Sequence, residues 1–579
     1  MKNLSRKPLT TLLVVALCMF LLGCQRNEVS TVPALSPVAP EVQEPQGTPA
    51  TETENLVELC KVWGYLKYTH PAFMRGKMDW DEELLKLIPQ VRELGLAEEV
   101  DALLHDWFVS LGELDYGNDT PASVWTLATE EDRVIEADTS WTRDAAYLGN
   151  DLVADLAQIP AVLPSLPRAY MPSLGAGANE PEYEGAFDDP NFRLLGLFRL
   201  WNAVEYRYPY LHLVDDWEQC LQNEIPRMLS GTDEISYLSS LLLIANQLHD
   251  PHVGMYSPSF DWHRILNAPY KIPIICTPAE GRLVVTSMAA ELPLERGDVL
   301  LKIGGRTVEE LLEERKQYVS YSREETAIYR MWDLLLYCEG EKAEVTILRG
   351  EEELTVLCTA LGSDSESAFP DTPASSIAPC ERLEENIGLI NPEYINRTEL
   401  IKGMDSFRDT DGLIIDLRQY PDWDSRETLF GYFLEKNIPA IKFAVSTSAV
   451  PGGYIKQTAR YGGPKAGTYH YDKPVVVLIN EESISRMEMY ATILSQAENI
   501  VFLGSNTLGA DGDIETLPLP GGVVIWFTSI GIYEPDDTQT QRTGIAPDIR
   551  VEPTIQGIAE GRDEVLEAAI EYIKMLDKS

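Results

Sequence analysis

Basic residues are scarce in this chain: 47 Lys+Arg stand against 92 Asp+Glu, a formal net charge of −45 over 579 residues. A phosphate backbone needs a cationic face, so this balance argues against nucleic acid as a partner. It argues equally against adsorption to anionic lipid through a basic patch. Cysteine is sparse and dispersed, with 8 residues, no CxxC pair and no Cys/His cluster, which argues against a structural zinc site. Histidine is scarcer still, with 7 residues, so any imidazole chemistry has few candidates. Long apolar runs are missing apart from Leu9 to Leu22, which is too short to span a membrane comfortably and matches a secretory h-region behind Lys2, Arg6 and Lys7. What the chain has is core material: 44 % hydrophobic and 24 % charged residues are the proportions of folded domains, and the length suggests about three or four of them.

The apolar run ends Leu21-Leu22-Gly23-Cys24, which resembles the lipobox of bacterial lipoproteins. That resemblance implies cleavage before Cys24, diacylation of its sulfur, and attachment to the cell envelope. The anchor would lie on the outer side of the cytoplasmic membrane or in the outer membrane. An ordinary signal peptide with a chance cysteine is the plainer alternative. Of the other cysteines, Cys18 leaves with the signal, and Cys60 and Cys276 sit in apolar contexts that read as buried thiols.

Composition shifts divide the chain as follows: 1–23 signal peptide; 24–52 a Pro-, Glu- and Thr-rich disordered tether; 53–185 and 186–265 two helical regions; 266–362 a β module; 363–385 a Ser/Pro/Asp linker; 386–579 an α/β core. The helical regions share a pattern. Trp63-Gly-Tyr-Leu-Lys-Tyr-Thr-His-Pro71 parallels Trp201-Asn-Ala-Val-Glu-Tyr-Arg-Tyr-Pro209, and Asp79-Trp80 and Asp216-Trp217 follow as helix starts. This reads as a duplicated helical hairpin whose aromatics pack a core. In the β module, Leu294-Glu-Arg-Gly-Asp-Val-Leu-Leu-Lys-Ile-Gly-Gly-Arg306 resembles the strand and turn of PDZ domains, with a short helix over Thr307 to Lys316. PDZ folds bind peptides at a sheet edge; a module that merely packs between domains is the alternative. In the last region, Gly412–Arg418 and Lys473–Asn480 contain the all-apolar runs of strands covered on both faces. Ser485–Gln496 and Arg562–Met575 read as helices, and Ile500–Gly504 and Gly522–Thr528 as strands.

Three segments of that region carry a family resemblance. Val476-Val-Leu-Ile-Asn-Glu-Glu-Ser-Ile-Ser-Arg-Met-Glu488 resembles the nucleophile segment of the tail-specific, C-terminal processing serine peptidases. Asp416-Leu-Arg-Gln-Tyr-Pro421 resembles their Asp-Leu-Arg turn, and Gln541-Arg-Thr-Gly-Ile-Ala-Pro-Asp548 their late Pro-Asp segment. The likeness implies a multidomain α+β protein: a helical front, a PDZ-like β module and a crotonase-like α/β catalytic core.

It also implies roles. Ser485 would be the nucleophile, at a strand-to-helix turn where free backbone N–H groups can receive an oxyanion. Ser485-x-x-Glu488 is at the same time a capping box that needs no catalysis. The Arg486 N–H and a backbone N–H in the Gln419–Tyr420 turn would form the oxyanion hole. Most of the family supplies its base as a lysine at the position of Ala510, so a Ser-Lys dyad is excluded there. The tricorn-like branch uses a histidine instead, and Leu248-His-Asp-Pro-His252-Val-Gly254 resembles its segment, which makes His252 the expected base and His249 a turn residue. Gln541 stands where that branch has an acid, and its amide oxygen could hold the imidazole.

The expected function is a membrane-tethered serine endopeptidase acting on protein or peptide substrates through an acyl-enzyme, with no metal and no cofactor. The rival is a non-catalytic lipoprotein that uses the same fold to hold a peptide or an apolar ligand.

Overall fold

Thr51 and Glu54 cap each other reciprocally and start the helix Glu52–Thr69, nearly all of which is buried. Pro190–Arg207 is its counterpart and is likewise enclosed on all sides. The sequence parallel is a structural one: Trp63 Nε1 donates to the Trp80 carbonyl at 2.8 Å, and Trp201 Nε1 to the Trp217 carbonyl at 2.9 Å. Each indole ties a central helix to the start of the next, Trp80–Val91 and Trp217–Ser230. Asp79 caps the first of these, and Asp81 beside it forms a fully buried ion pair with Arg199.

This computed structural model describes residues 47–577 except 118–123, 165–179, 290, 363–369, 371–377, 422–423 and 464. The expected signal peptide, Cys24, most of the tether and most of the linker lie outside the described residues. Among those described, no helix is long and apolar enough to cross a membrane, and all six cysteines are free thiols.

The β module is an antiparallel sheet in the order Glu352–Thr359, Lys342–Arg349, Val299–Ile303, Arg282–Met288, Ile274–Ala279. A Thr307/Glu310 capping box opens its helix, Val308–Arg315. Arg349 pairs with the buried Asp298 at 2.7 Å, which explains the aspartate of the Gly297-Asp298 turn.

The last region is built on a six-stranded sheet in the order Cys380–Arg382, Ile387–Ile390, Gly412–Asp416, Val475–Ile479, Ile500–Gly504, Ile549–Arg550. All neighbours after the first pair are parallel. Alternate residues of one strand serve two cores. Val476 and Leu478 pack with Ala569 and Ile573 of the closing helix, whereas Val475, Val477 and Ile479 pack with Tyr490 and Ile493. That is why these strands read as unbroken apolar runs.

Two smaller sheets join the regions. Ile438–Ser446 and Gly453–Tyr461 form a hairpin flanked by Ile530–Tyr533 and by Arg133–Ile135 of the helical front. Ile514–Leu519 and Val523–Thr528 form another, extended by Gly254–Tyr256, and a buried Arg207–Glu515 pair at 2.5 Å reinforces the seam. The pairing of Gly254–Tyr256 with Val523–Thr528 carries His252 from the front of the chain to the α/β core.

Candidate active site

Strand Val475–Ile479 ends at Asn480, and the turn after it is fixed from inside. The Ser483 hydroxyl accepts the Asn480 N–H at 3.1 Å and donates to the Leu417 carbonyl at 3.0 Å. Ser485 follows at φ 59°, ψ −122°, a conformation favouring glycine, just before helix Arg486–Leu494. Such a backbone costs on the order of 1–3 kcal/mol and persists only where its surroundings impose it. Here they do, since the Ser485 N–H donates to the Ala510 carbonyl at 2.8 Å and the Ser485 carbonyl accepts from Met489.

The Ser485 hydroxyl makes no cap hydrogen bond, so the capping-box alternative is not the one the chain adopts. Its partners are the Tyr420 hydroxyl and the Gly512 carbonyl, each at 3.4 Å, long for O–H···O bonds. It opens on a cavity of about 430 Å³ with an apolar wall of Phe443, Met489, Ile530 and Ile532. Tyr420, Arg486, Asp511 and Asp513 supply the polar rim.

Glu488 turns away from the cavity. Its carboxylate accepts from the Thr507 hydroxyl and from the Gly509 and Ala510 N–H groups, the latter two at 2.8 Å. Burial, opposed by these bonds, pushes it up to about 7. The same loop is held from the β module. Arg323 donates to the carbonyls of Thr507, Leu508, Arg542 and Thr543 at 2.9–3.3 Å, and the Ser322 hydroxyl donates to Leu508. Asp511, next along, is buried, and that burial, with Glu488 nearby, drives its carboxyl well above the usual range.

His252 is enclosed. Its Nδ1 lies 2.9 Å from the Thr528 hydroxyl and 3.7 Å from Asp250 Oδ1, and its Nε2 is buried without a hydrogen-bond partner. Burial pushes its pKa down, opposed by Asp250. His252 is not hydrogen-bonded to Ser485. The segment bearing Gly512 lies at both: its carbonyl reaches Ser485, and a side chain at Gly512 would meet Thr528 Cγ2 at 3.0 Å. The neighbouring His249 occupies a left-handed turn at φ 45°, ψ 45°.

The expectation for Gln541 is corrected. Its amide nitrogen and oxygen are buried and make no hydrogen bond, and the imidazole Nδ1 is met by Thr528. The adjacent Arg542 explains the placement: at φ 63° it sends its guanidinium to the Leu213 and Leu248 carbonyls, holding this segment to the front helices.

The structure therefore gathers Ser485, Arg486 and Tyr420 at one cavity, whose lining does not include His252, the partner of Thr528. Tyr420 also brings its side-chain hydroxyl to within 3.4 Å of Ser485 Oγ. Arg486 lies with its guanidinium 5.0 Å from the Tyr420 ring and donates to the Pro421 carbonyl at 3.0 Å. Sequence reasoning missed Thr528, Asp511 and Arg323, which lie in segments without a local signature. Asp250 lies in the Asp-x-His pattern that singled out His252, without a role assigned to it there. Among the described residues, no cluster of side chains could hold a metal ion.

Residues 386–551 match the description of Peptidase family S41. A carboxy-terminal-processing protease of Bartonella bacilliformis is 33 % identical over 103 residues, covering 18 % of this chain; the matched stretch spans 24 %, about a quarter, of that curated relative. Mature CPAF complexed with lactacystin aligns with a TM-score of 0.51 at 14 % identity, covering 67 % of this chain and 99 % of that one. A second structure of mature CPAF gives 0.52 at 15 % identity, covering 67 % and 98 %. Likeness at that identity establishes a shared mixed α/β, multidomain fold.

Proposed function

We propose that this chain, whose residues 386–551 match peptidase family S41, is a serine endopeptidase with Ser485 as its nucleophile. The observation that carries the reading is the Ser485 backbone, held at φ 59° at the mouth of a cavity with its hydroxyl unused by the helix it opens. A merely structural serine would gain nothing from that strain. Ser485 Oγ attacks the scissile carbonyl. Its proton passes to His252 Nε2 and then to the leaving amine, and water repeats the sequence to release the acyl group. The backbone N–H of Arg486 and a donor from Tyr420 receive the oxyanion. The unpartnered Nε2 supports His252 as base. The Ser485 hydroxyl rests 3.4 Å from the Gly512 carbonyl, and in this reading it exchanges that contact for His252 Nε2.

In this reading the β module is PDZ-like, the core is crotonase-like, and the substrate is a protein or peptide. The lipobox at Cys24 supports attachment to the cell envelope by an acyl anchor. Cys24→Ala should abolish labelling by an alkyne fatty acid, and labelling equal to wild type would remove the anchor from the proposal. For the chemistry, a fluorophosphonate probe should modify the protein at Ser485 and leave Ser485→Ala unmodified. A folded protein that resists the probe would favour the non-catalytic binding lipoprotein instead.

A further inference from the structure

We propose that Asp250 is the carboxylate partner of His252, a positioning residue whose charge, 3.7 Å from Nδ1, stabilises the imidazolium formed when Ser485 loses its proton. The inference rests on the peptidase reading above and supplies what Gln541 does not. A neutral amide carries no charge to offer an imidazolium, and Gln541 makes no hydrogen bond to the ring.

The geometry divides two tasks between two residues. With the proton on Nδ1, Thr528 Oγ1 accepts its hydrogen bond at 2.9 Å, and this tautomer leaves the lone pair on Nε2 where a base needs it. Asp250 contributes charge. It is fully buried, and its Oδ1 accepts the backbone N–H of His252 at 2.9 Å, so carboxylate and imidazole are locked in one short turn. The backbone N–H of Asp250 donates to the Ser320 hydroxyl at 2.8 Å, and Arg330 donates to the Pro251 carbonyl at 3.0 Å, so the β module holds this turn from outside. Asp250 Oδ2 accepts no hydrogen bond, and its charge is shared between the imidazole and the buried Arg330 guanidinium.

The charged and titratable groups around the pair are few. Arg330 and Asp513 face His252, the first disfavouring and the second favouring its protonation. Arg330 also faces Asp250, as do Tyr208 and Tyr210. Buried so deeply, the imidazole would have little capacity to hold a proton without a nearby anion. No proton moves to Asp250. The proton leaves Ser485 Oγ for Nε2 as the Oγ–C bond forms, and leaves Nε2 for the amine as the C–N bond breaks.

The test is Asp250→Asn, which preserves the acceptor for the His252 N–H and removes the charge. The His252 ring proton is followed by NMR against pH, assigned by its loss in His252→Gln, in parallel with the rate of fluorophosphonate labelling. Asp250→Asn should lower the His252 titration midpoint by about one pH unit. The acid limb of labelling should move down with it while the plateau rate falls by about tenfold or more. Arg330→Gln should move the midpoint upward. If His252 titrates identically in wild type and Asp250→Asn, or if the rate falls with no movement of the limb, Asp250 is only structural and the proposal is overturned. Absence of labelling at Ser485 in wild type would sink the peptidase reading separately, because the NMR titration still reports whether Asp250 and His252 are coupled.

Discussion

Ala510 is bonded through both backbone polar groups to the helix that Ser485 opens. Its carbonyl accepts the Ser485 N–H and its N–H donates to the Glu488 carboxylate, each at 2.8 Å. The position that supplies a lysine in most of the resembled family is here a fully buried alanine serving as a bracket for the strained serine. Ala510→Lys should therefore not restore labelling to His252→Ala. Forcing a long side chain into this packed site should cost about 1–3 kcal/mol. Labelling of the double variant approaching the wild-type rate would reinstate a lysine mechanism.

Ser485 is held where glycine would be at ease. Ser485→Gly should raise unfolding stability by about 1 kcal/mol in denaturant titration while abolishing probe labelling. Loss of stability on that substitution would mean that the hydroxyl, with its two 3.4 Å contacts, matters to the fold after all.

Arg323 links the β module to both loops behind the site through four carbonyls. Arg323→Ala should cost about 2 kcal/mol or more, because charged hydrogen bonds are lost and buried acceptors are left open. Hydrogen exchange should rise over residues 507–512 and 540–544 and stay unchanged in helix Glu564–Asp577. A uniform rise across the chain would contradict a local clamp.

Glu58 lies buried on the first helix beside Asp101, and burial, reinforced by that like charge, pushes it up to about 9. Its proton is bound more tightly in the folded than in the unfolded protein. Its contribution to stability is thus complete below the ordinary glutamate range near 4.5 and is lost as pH rises through about 9. Glu58→Gln, neutral at every pH, should melt above wild type at pH 9 and no higher at pH 5. Parallel melting curves for the two proteins would show that Glu58 is ionised in the native state.

The strands Gly412–Asp416 and Val475–Ile479, the helix behind Ser485 and the tryptophan-marked helical repeat were all legible in the sequence. Each is written in a local pattern: an apolar run, a cap, a repeated spacing. Ser485 was legible too, since strand, turn and helix fall within one short segment. The relation between distant segments was not. His252 lies far from Ser485 in sequence, and only the pairing of Gly254–Tyr256 with Val523–Thr528 decides which ring nitrogen meets Thr528 and which stays open. Gln541 looked available by alignment of motifs, but Arg542 draws its segment to the front helices. The capping box at Ser485 was equally a matter of context, because the Ser485 hydroxyl that would have completed it makes no cap hydrogen bond. Local periodicity determined the elements. Competition among non-local hydrogen bonds in a buried site, where each polar group must find a partner or bear its desolvation, decided the roles of the residues on them.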